Sequence, residues 1–410
     1  MIFLSSCQPF RIQNAHVEKI LDSVLLALSN NDGKHVRTFT YVETKFLYMW
    51  YERLDETRRR ALKDLVASKQ FTFTNGGWCM HDEAPTHFMG MIDQTTLGHS
   101  FLKKELNVTP SVGWQIDPFG HSSTQGGLLT SGFGFDAIYF GRIHHVDLAK
   151  RKESAECEGL WGNVIKGEQP VFWGLTGSYS GNYGAPEGFC FDKQCGDAEY
   201  LVGQSEEFLL KRTMLLMESI RNQAAETKGR NLMLTMGMDF QYEEAGTNFA
   251  NMDILIDSID KYTSDGNIDV KEEFGGRFER VKIFYSSPER YTKCKYIDMV
   301  NAKTHREDES RSPDRKHNPS AWADSVKVGD FFPYADNEHA YWAGYFSSRQ
   351  SLKKMERVSS SFLHSARQIE AMAKLFPSKI VPKTEMMRNS WNSSPLFTLD
   401  DAVGVAQHHE

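Results

Sequence analysis

No stretch of about 18 consecutive apolar residues occurs in the 410-residue chain, which removes a membrane-spanning helix from consideration. There is no basic excess either. Lys and Arg number 47 against 54 Asp and Glu, a net charge of −7, which is the wrong sign for tracking a nucleic-acid backbone. Six scattered cysteines are too few for a disulfide-stapled scaffold. Internal repeats and low-complexity tracts are missing, which excludes solenoids and fibrous arrays. The start, Met1 to Cys7, is apolar but short and lacks the charged leader and cleavage pattern of a signal peptide. Taken literally, these features describe a cytosolic globular protein. Two details point the other way: Asn107-Val-Thr109 and Asn392-Ser-Ser394 are glycan acceptor triplets, and Cys190 and Cys195 are close enough in sequence to bridge.

What is present is an ordinary mixture, 25% charged and 12% aromatic, in a chain longer than one core usually supports, so one large domain plus a second, partial one is expected. Val17, Ile20, Leu21, Val24 and Leu28 recur at helical spacing, and Arg37–Glu43 alternates as a strand does. The order repeats: a helix near Thr57–Ser68, a strand at Phe71–Thr74, a turn at Asn75-Gly-Gly77, a helix over Phe88–Leu106. Strands ending at Asp117 and Arg142, with a Gly-punctuated helix between them, continue it. This alternation predicts an α/β fold, a mostly parallel sheet or barrel covered by helices. Residues 143–200, rich in Gly and aromatics, read as a functional excursion outside the core. Beyond them the pattern predicts a helix over Tyr200–Glu226, a buried strand at Asn231–Met236 running toward Asp239, a helix after Thr247 and a strand at Val281–Ser287. Residues 301–325 are polar and mixed in charge, a solvated linker, and an all-helical segment follows Tyr345. Domain boundaries are expected at 1–335, catalytic α/β, and 336–410, a partial helical bundle.

The stretch Gly113–Ser122 ends an apolar run in Asp117 and is stopped by Pro118 and Gly120. Such an acid sits at the mouth of an α/β scaffold, although a turn or cap role suits the same residue. Asp239 repeats the arrangement. Two carboxylates at strand ends can divide the work of nucleophile and acid/base, as glycoside hydrolysis requires. Phe119, Tyr183 and Trp342 are aromatics fit to stack on a sugar ring, and Arg142 is a cation at the next strand end; each also suits core or surface filling. The pairs His144-His145 and His408-His409 are poor evidence for a metal, because adjacent residues of one helix cannot both face one ion. His81 and His87 flank Pro85, which argues against a helix aligning them.

Taken together, the ordered segments Phe73–Ala84, Ile92–Leu97, Gln115–Ser122, Thr235–Tyr242, Phe331–Asp336, Tyr341–Arg349 and Gln407–His409 resemble the class II α-mannosidases of glycoside hydrolase family 38, the lysosomal type more than the Golgi type. The resemblance covers nearly the whole chain. It implies a retaining exo-mannosidase that uses zinc, with Asp117 as nucleophile and metal contact, Asp239 as acid/base and His409 as a further zinc ligand. Phe119, Arg142, Tyr183 and Trp342 fall where that family lines its sugar pocket. Cys190 and Cys195 match a short disulfide loop of the lysosomal branch. That match favours a lysosomal or secretory location and makes Asn107 and Asn392 candidate glycan sites. His81 stands where the family has a non-ligand.

The family's His-x-Asp zinc motif is expected upstream of residues 13–25, and at the other end large β domains are expected beyond Glu410, so the chain reads as truncated at both ends. With only Asp117 and His409 matched, zinc is expected to bind weakly. The expected partners are mannose-containing oligosaccharides, with neither nucleic acid nor a membrane span, and a homo-oligomer is compatible. A pseudoenzyme that binds mannosyl glycans without turnover is the competing reading, and a metal-dependent hydrolase of another class a more distant one.

Overall fold

The structure is a computed structural model that describes residues 17–30, 34–84, 86–162, 170–177, 184–195, 199–304, 326–375, 392, 394 and 396–408. Helix α1 (Val17–Ser29) forms where the 3.6-residue periodicity placed it, and Val17, Ile20, Leu21, Val24 and Leu28 are all buried. Strand β1 (Phe39–Tyr41), helices α2 (Thr44–Tyr51) and α3 (Glu56–Ala67), and strand β2 (Phe71–Phe73) follow. Asp55 starts α3 by accepting the Arg58 N–H. Helix α4 (Phe88–Leu106) stops at Asn107, whose left-handed φ of 53° lets the Asn107 and Val108 N–H groups reach the Lys103 and Leu102 carbonyls. The Asn107 side chain is exposed there.

Strands β1 and β2 pair in parallel. A second sheet contains β3 (Val112–Gln115), β4 (Ala137–Phe140), β5 (Glu158–Trp161), β6 (Val171–Leu175) and β7 (Val326–Lys327), in the order β3-β4-β6-β5-β7. Only the β5–β6 pairing is antiparallel. Asn75 links the two sheets: its own N–H donates to the Val112 carbonyl at 2.9 Å and its side-chain oxygen accepts the Trp114 N–H at 2.6 Å. One side chain thus takes the place of a ladder rung, and the layers are effectively continuous.

Helix α5 (Ser123–Gly127) with a π turn at Leu128–Gly132, and α6 (His145–Ser154), lie between strands. The second half of the described chain adds α7 (Glu206–Glu226), α8 (Ala245–Ser264), the short α9 (Val270–Glu273) and α10 (Pro288–Thr304). A 3-10 turn (Gly344–Phe346) then leads to α11 (Gln350–Leu375) and α12 (Phe397–Ala406). Helix α12 docks closely on the α/β part. Gly404 lies against the Trp78 ring, Gly90 against Gln407, and Lys45 and Trp78 both hydrogen-bond Asp401, at 2.6 and 2.8 Å. Helix α11 keeps Met355, Val358, Phe362, Ile369 and Met372 exposed along its outer side.

The structure corrects several sequence expectations. Residues 143–200 are not an excursion outside the core, because they supply β5 and β6, and β6 is the fully buried central strand of the larger sheet. Gly174 belongs there because a Cβ would meet the Tyr139 ring at 2.9 Å. The expected strands at 231–236 and 281–287 run extended without a ladder. Leu232, Leu234 and Met236 pack on the main core while Met233 faces the second cluster, so the period of two is real. Side chains occupy some of the backbone groups that a neighbouring strand would use: Gln223 donates to the Met233 carbonyl at 2.9 Å and Thr38 to the Ser286 carbonyl at 2.8 Å. Both segments line an apolar cavity of about 330 Å³ beside β1 and Trp114. The polar linker expected at 301–325 begins inside α10, and its residues 305–325 lie outside the described set.

Candidate active site

Register alone brings Asp117 and Arg142 together. Gln115 of β3 pairs with Phe140 of β4, so residues two beyond each strand end emerge side by side. Arg142 donates from Nη2 to Asp117 Oδ1 at 2.6 Å, and both side chains are largely buried. A guanidinium at this distance holds the carboxylate in one rotamer and complements its negative charge.

The loop that presents Asp117 is fixed at several points. Gly120, at φ +97°, turns under the Phe332 ring, where a Cβ would come within 2.5 Å of ring carbon. His121 and Phe331 exchange backbone hydrogen bonds at 3.3 and 2.7 Å. The His121 ring is pushed down to about 3 by burial, with the Arg142 charge adding to it, so it stays neutral against Phe140. Ser122 caps α5 through the Gln125 N–H at 3.0 Å. Two acids not singled out in the sequence complete the clamp. Both Glu83 oxygens accept the Ser122 N–H, at 3.0 and 3.1 Å, and Asp330 Oδ1 accepts both the N–H and the hydroxyl of Ser123, at 2.7 and 2.8 Å.

Glu83 is pushed up from 4.5 to about 7, mainly by burial, against the opposing pull of Ser122. Because its folded-state value is the higher one, its contribution to stability is full below pH 4.5 and is lost as pH rises toward 7. Glu83→Gln cannot ionise. Its melting temperature should therefore gain on wild type steadily between those limits, as checked by thermal scans at half-unit pH steps.

An aromatic box surrounds the Asp117–Arg142 pair. The guanidinium lies over the Phe119 ring at 5.1 Å and the Trp342 ring at 5.6 Å. Phe119 meets Trp342 at 5.0 Å, Tyr345 edge-on at 4.9 Å, and Tyr334 in a stacked arrangement at 6.4 Å. Burial raises the Tyr334 hydroxyl, while a hydrogen bond with Arg142 and that residue's charge work against the rise. Burial likewise raises Tyr345, with help from Asp82 and Glu83. Trp342 is 41% exposed, so one edge of the box opens to solvent. Tyr334 and Tyr345 were overlooked as site residues because an aromatic in a sequence carries no sign of which way it points.

Asp239 lies on a separate, half-buried turn that follows the extended segment 231–236. Its neighbours Phe240 and Tyr242 have φ of 61° and 72°, a left-handed conformation that costs bulky residues roughly 1–3 kcal/mol each. Cys190 and Cys195 form the expected disulfide, and Gln241 donates to both sulfurs. Tyr183 and His409 lie outside the described residues. His408, beside the latter, is buried with Nε2 3.3 Å from Glu43 Oε1. His81 has both ring nitrogens engaged, by Thr95 at 2.7 Å and Gln125 at 2.6 Å, and burial lowers it to about 4. His144 is the N-cap of α6.

Among the described residues no group of three or more His, Cys, Asp or Glu could hold a metal ion. Zinc requires three or four protein ligands, and of the nominated donors only Asp117 is described, with Oδ1 accepting from Arg142. The described donors do not by themselves fit a zinc centre.

A strand-end carboxylate paired with a cation and walled by aromatics suits a small ligand that has polar edges and an apolar face, as a sugar has. The description of the N-terminal domain of the glycosyl hydrolases of family 38 matches residues 6–337, and that of the alpha mannosidase middle domain matches residues 340–410. The chain belongs to glycoside hydrolase family 38. Curated relatives include a probable alpha-mannosidase of Arabidopsis thaliana, 36% identical over 97% of this chain and 34% of its own length. An alpha-mannosidase of Canavalia ensiformis and a lysosomal alpha-mannosidase of Cavia porcellus are each 36% identical over 97% of this chain and 35% of their own length. The chain spans about a third of the length of these relatives. Among solved structures, an alpha-mannosidase from Enterococcus faecalis V583 shares the fold with a TM-score of 0.50, at 14% identity over 71% of this chain and 27% of that one.

Proposed function

We propose that this chain carries the catalytic domain of a retaining α-mannosidase that removes terminal α-linked mannose from glycoprotein-derived oligosaccharides. The observation that carries the reading is the Asp117–Arg142 pair at 2.6 Å inside its aromatic box. Asp117 attacks C1 of the mannosyl unit, the bond to the leaving oxygen breaks, and Asp239 gives that oxygen its proton. Asp239 then takes a proton from water, the water oxygen attacks C1, and Asp117 is released. Two inversions restore the α configuration. Arg142 keeps the nucleophile oriented, while Phe119, Trp342 and Tyr183 offer faces to the ring's C–H surface.

Zinc enters this reading through the family resemblance, with Asp117 and His409 as nominated donors; it would supply positive charge and a grip on sugar hydroxyls. Its remaining ligands would come from outside the described residues. The lysosomal relative and the Cys190–Cys195 disulfide support a lysosomal or secretory location. The proposed boundary at 335/336 passes through the site, since Tyr334 lies on one side and Trp342 on the other.

Release of mannose from an aryl α-mannoside, assayed on this chain together with its metal content, tests the proposal. Saturable turnover that leaves the product initially in the α configuration supports it. Saturable mannoside binding without turnover would instead favour the non-catalytic glycan binder.

A further inference from the structure

We propose that the loop of residues 184–195, acting through Gln241 and the Cys190–Cys195 disulfide, is a positioning device for Asp239; this rests on the acid/base assignment above. The need for it is local. Phe240 and Tyr242 both sit at left-handed φ, so the shape of the turn is not one that its own residues favour. Such a backbone persists only where its surroundings over-determine it.

The restraint comes from one loop and falls on both sides of Asp239. Gln241 is 4% exposed; its Nε2 donates to the Cys190 and Cys195 sulfurs at 3.0 and 3.1 Å, and its Oε1 accepts the N–H of Met238 at 3.0 Å. One amide thus ties the disulfide to the residue immediately before Asp239. On the other side, Gln194 donates to the Phe240 carbonyl at 2.8 Å and Asp192 accepts the Tyr242 N–H at 2.8 Å. Thr235, at the approach to the turn, donates to the Gly184 carbonyl at 2.7 Å. Asp192 and Gln194 both lie within the short ring closed by the disulfide, so the bond holds their side chains in one relation to each other.

The loop is itself anchored. Arg212 of α7 donates to the Gly188 carbonyl, pairs with Glu199 at 2.6 Å and covers the Phe189 ring at 4.4 Å. The chain of support runs from α7 through the loop and Gln241 to the turn. An acid that must deliver a proton along one direction loses its effect when displaced by about 1 Å, which costs on the order of 10²-fold.

The test uses the full chain and Gln241→Leu, which keeps the volume and removes both amide links. Turnover of an α-mannoside with a poor leaving group should fall roughly 10- to 100-fold. Turnover of 2,4-dinitrophenyl α-mannoside, whose leaving group needs no proton, should change by less than about threefold. Reduction of the disulfide should give the same split. Hydrogen exchange supplies a readout that needs no turnover. The Met238 and Tyr242 amides should exchange about tenfold faster in Gln241→Leu, with those of α8 unchanged. Unchanged exchange, or equal loss on both substrates together with a lowered melting temperature, overturns the proposal. Asp239→Ala is the control. If it shows no substrate split while Gln241→Leu exchanges faster, the acid/base assignment is what fails, and the loop remains a clamp on the turn.

Discussion

Asp117→Asn should remove turnover of every mannoside, by roughly 10⁴-fold or more in kcat, regardless of leaving group. A nucleophile is needed both to form and to release the glycosyl-enzyme, so activating the leaving group cannot compensate. This separates Asp117 from Asp239, whose loss an activated substrate should partly repair. The fold should survive. The Asn side-chain oxygen still accepts from Arg142, and what is lost is the charge assistance of one hydrogen bond at 2.6 Å, about 1–2 kcal/mol. Kinetics on activated and unactivated mannosides check the first point, and urea unfolding the second. Incubation with a fluorinated mannosyl donor should add one glycosyl mass to the wild-type chain and none to the variant. A variant that keeps a tenth of wild-type turnover would remove Asp117 from the nucleophile role.

The part of this site legible in the sequence is the part carried by strand ends. Asp117 and Arg142 stand where apolar runs stop, and the equal offset past β3 and β4 follows from parallel pairing once the register is known. Helix α4 was legible to the residue because its apolar spacing is unbroken from Phe88 to Leu106. Strand β6 was hidden because a five-residue apolar run containing Gly174 looks like a loop unless its neighbours on both sides are known. The segments at 231–236 and 281–287 show the opposite failure. Their two-residue period was read correctly as extended backbone, but whether a ladder forms depends on backbone partners, and Gln223 and Thr38 intervene there. Glu83, Tyr334, Tyr345 and Gln241 were missed as contributors to the site for one reason. Each acts through a contact with residues distant in the chain, such as Ser122 for Glu83 and the disulfide for Gln241.

The sheet that sets the Asp117–Arg142 offset depends on a buried ion pair beneath it. Lys295 of α10 is wholly buried, and its Nζ lies 2.6 Å from Glu158 Oε2 of β5 and donates to the Lys228 carbonyl at 2.7 Å. The Tyr291 hydroxyl donates to the other Glu158 oxygen. Replacing Lys295 by Met removes one charge and strands the other, which should destabilise the chain by about 3–5 kcal/mol at neutral pH. Part of that loss should be recovered in acid. Without its cation Glu158 is held above its unfolded-state value, so the penalty should grow as pH rises past about 4.3 and shrink below it. The pair Glu158→Leu with Lys295→Met leaves no stranded charge and should lie within about 1–2 kcal/mol of wild type, although Tyr291 then loses its acceptor. Urea unfolding at pH 4.5 and 7.5 distinguishes the three chains. A single variant that loses equal stability at both values would show that packing of the lysine stem, rather than its charge, holds α10 to β5. Because β5 contacts β4 only through β6, the loss should be global. Turnover per folded molecule should then be unchanged while the folded fraction falls, which sets this substitution apart from any change at Asp117, Arg142 or Gln241.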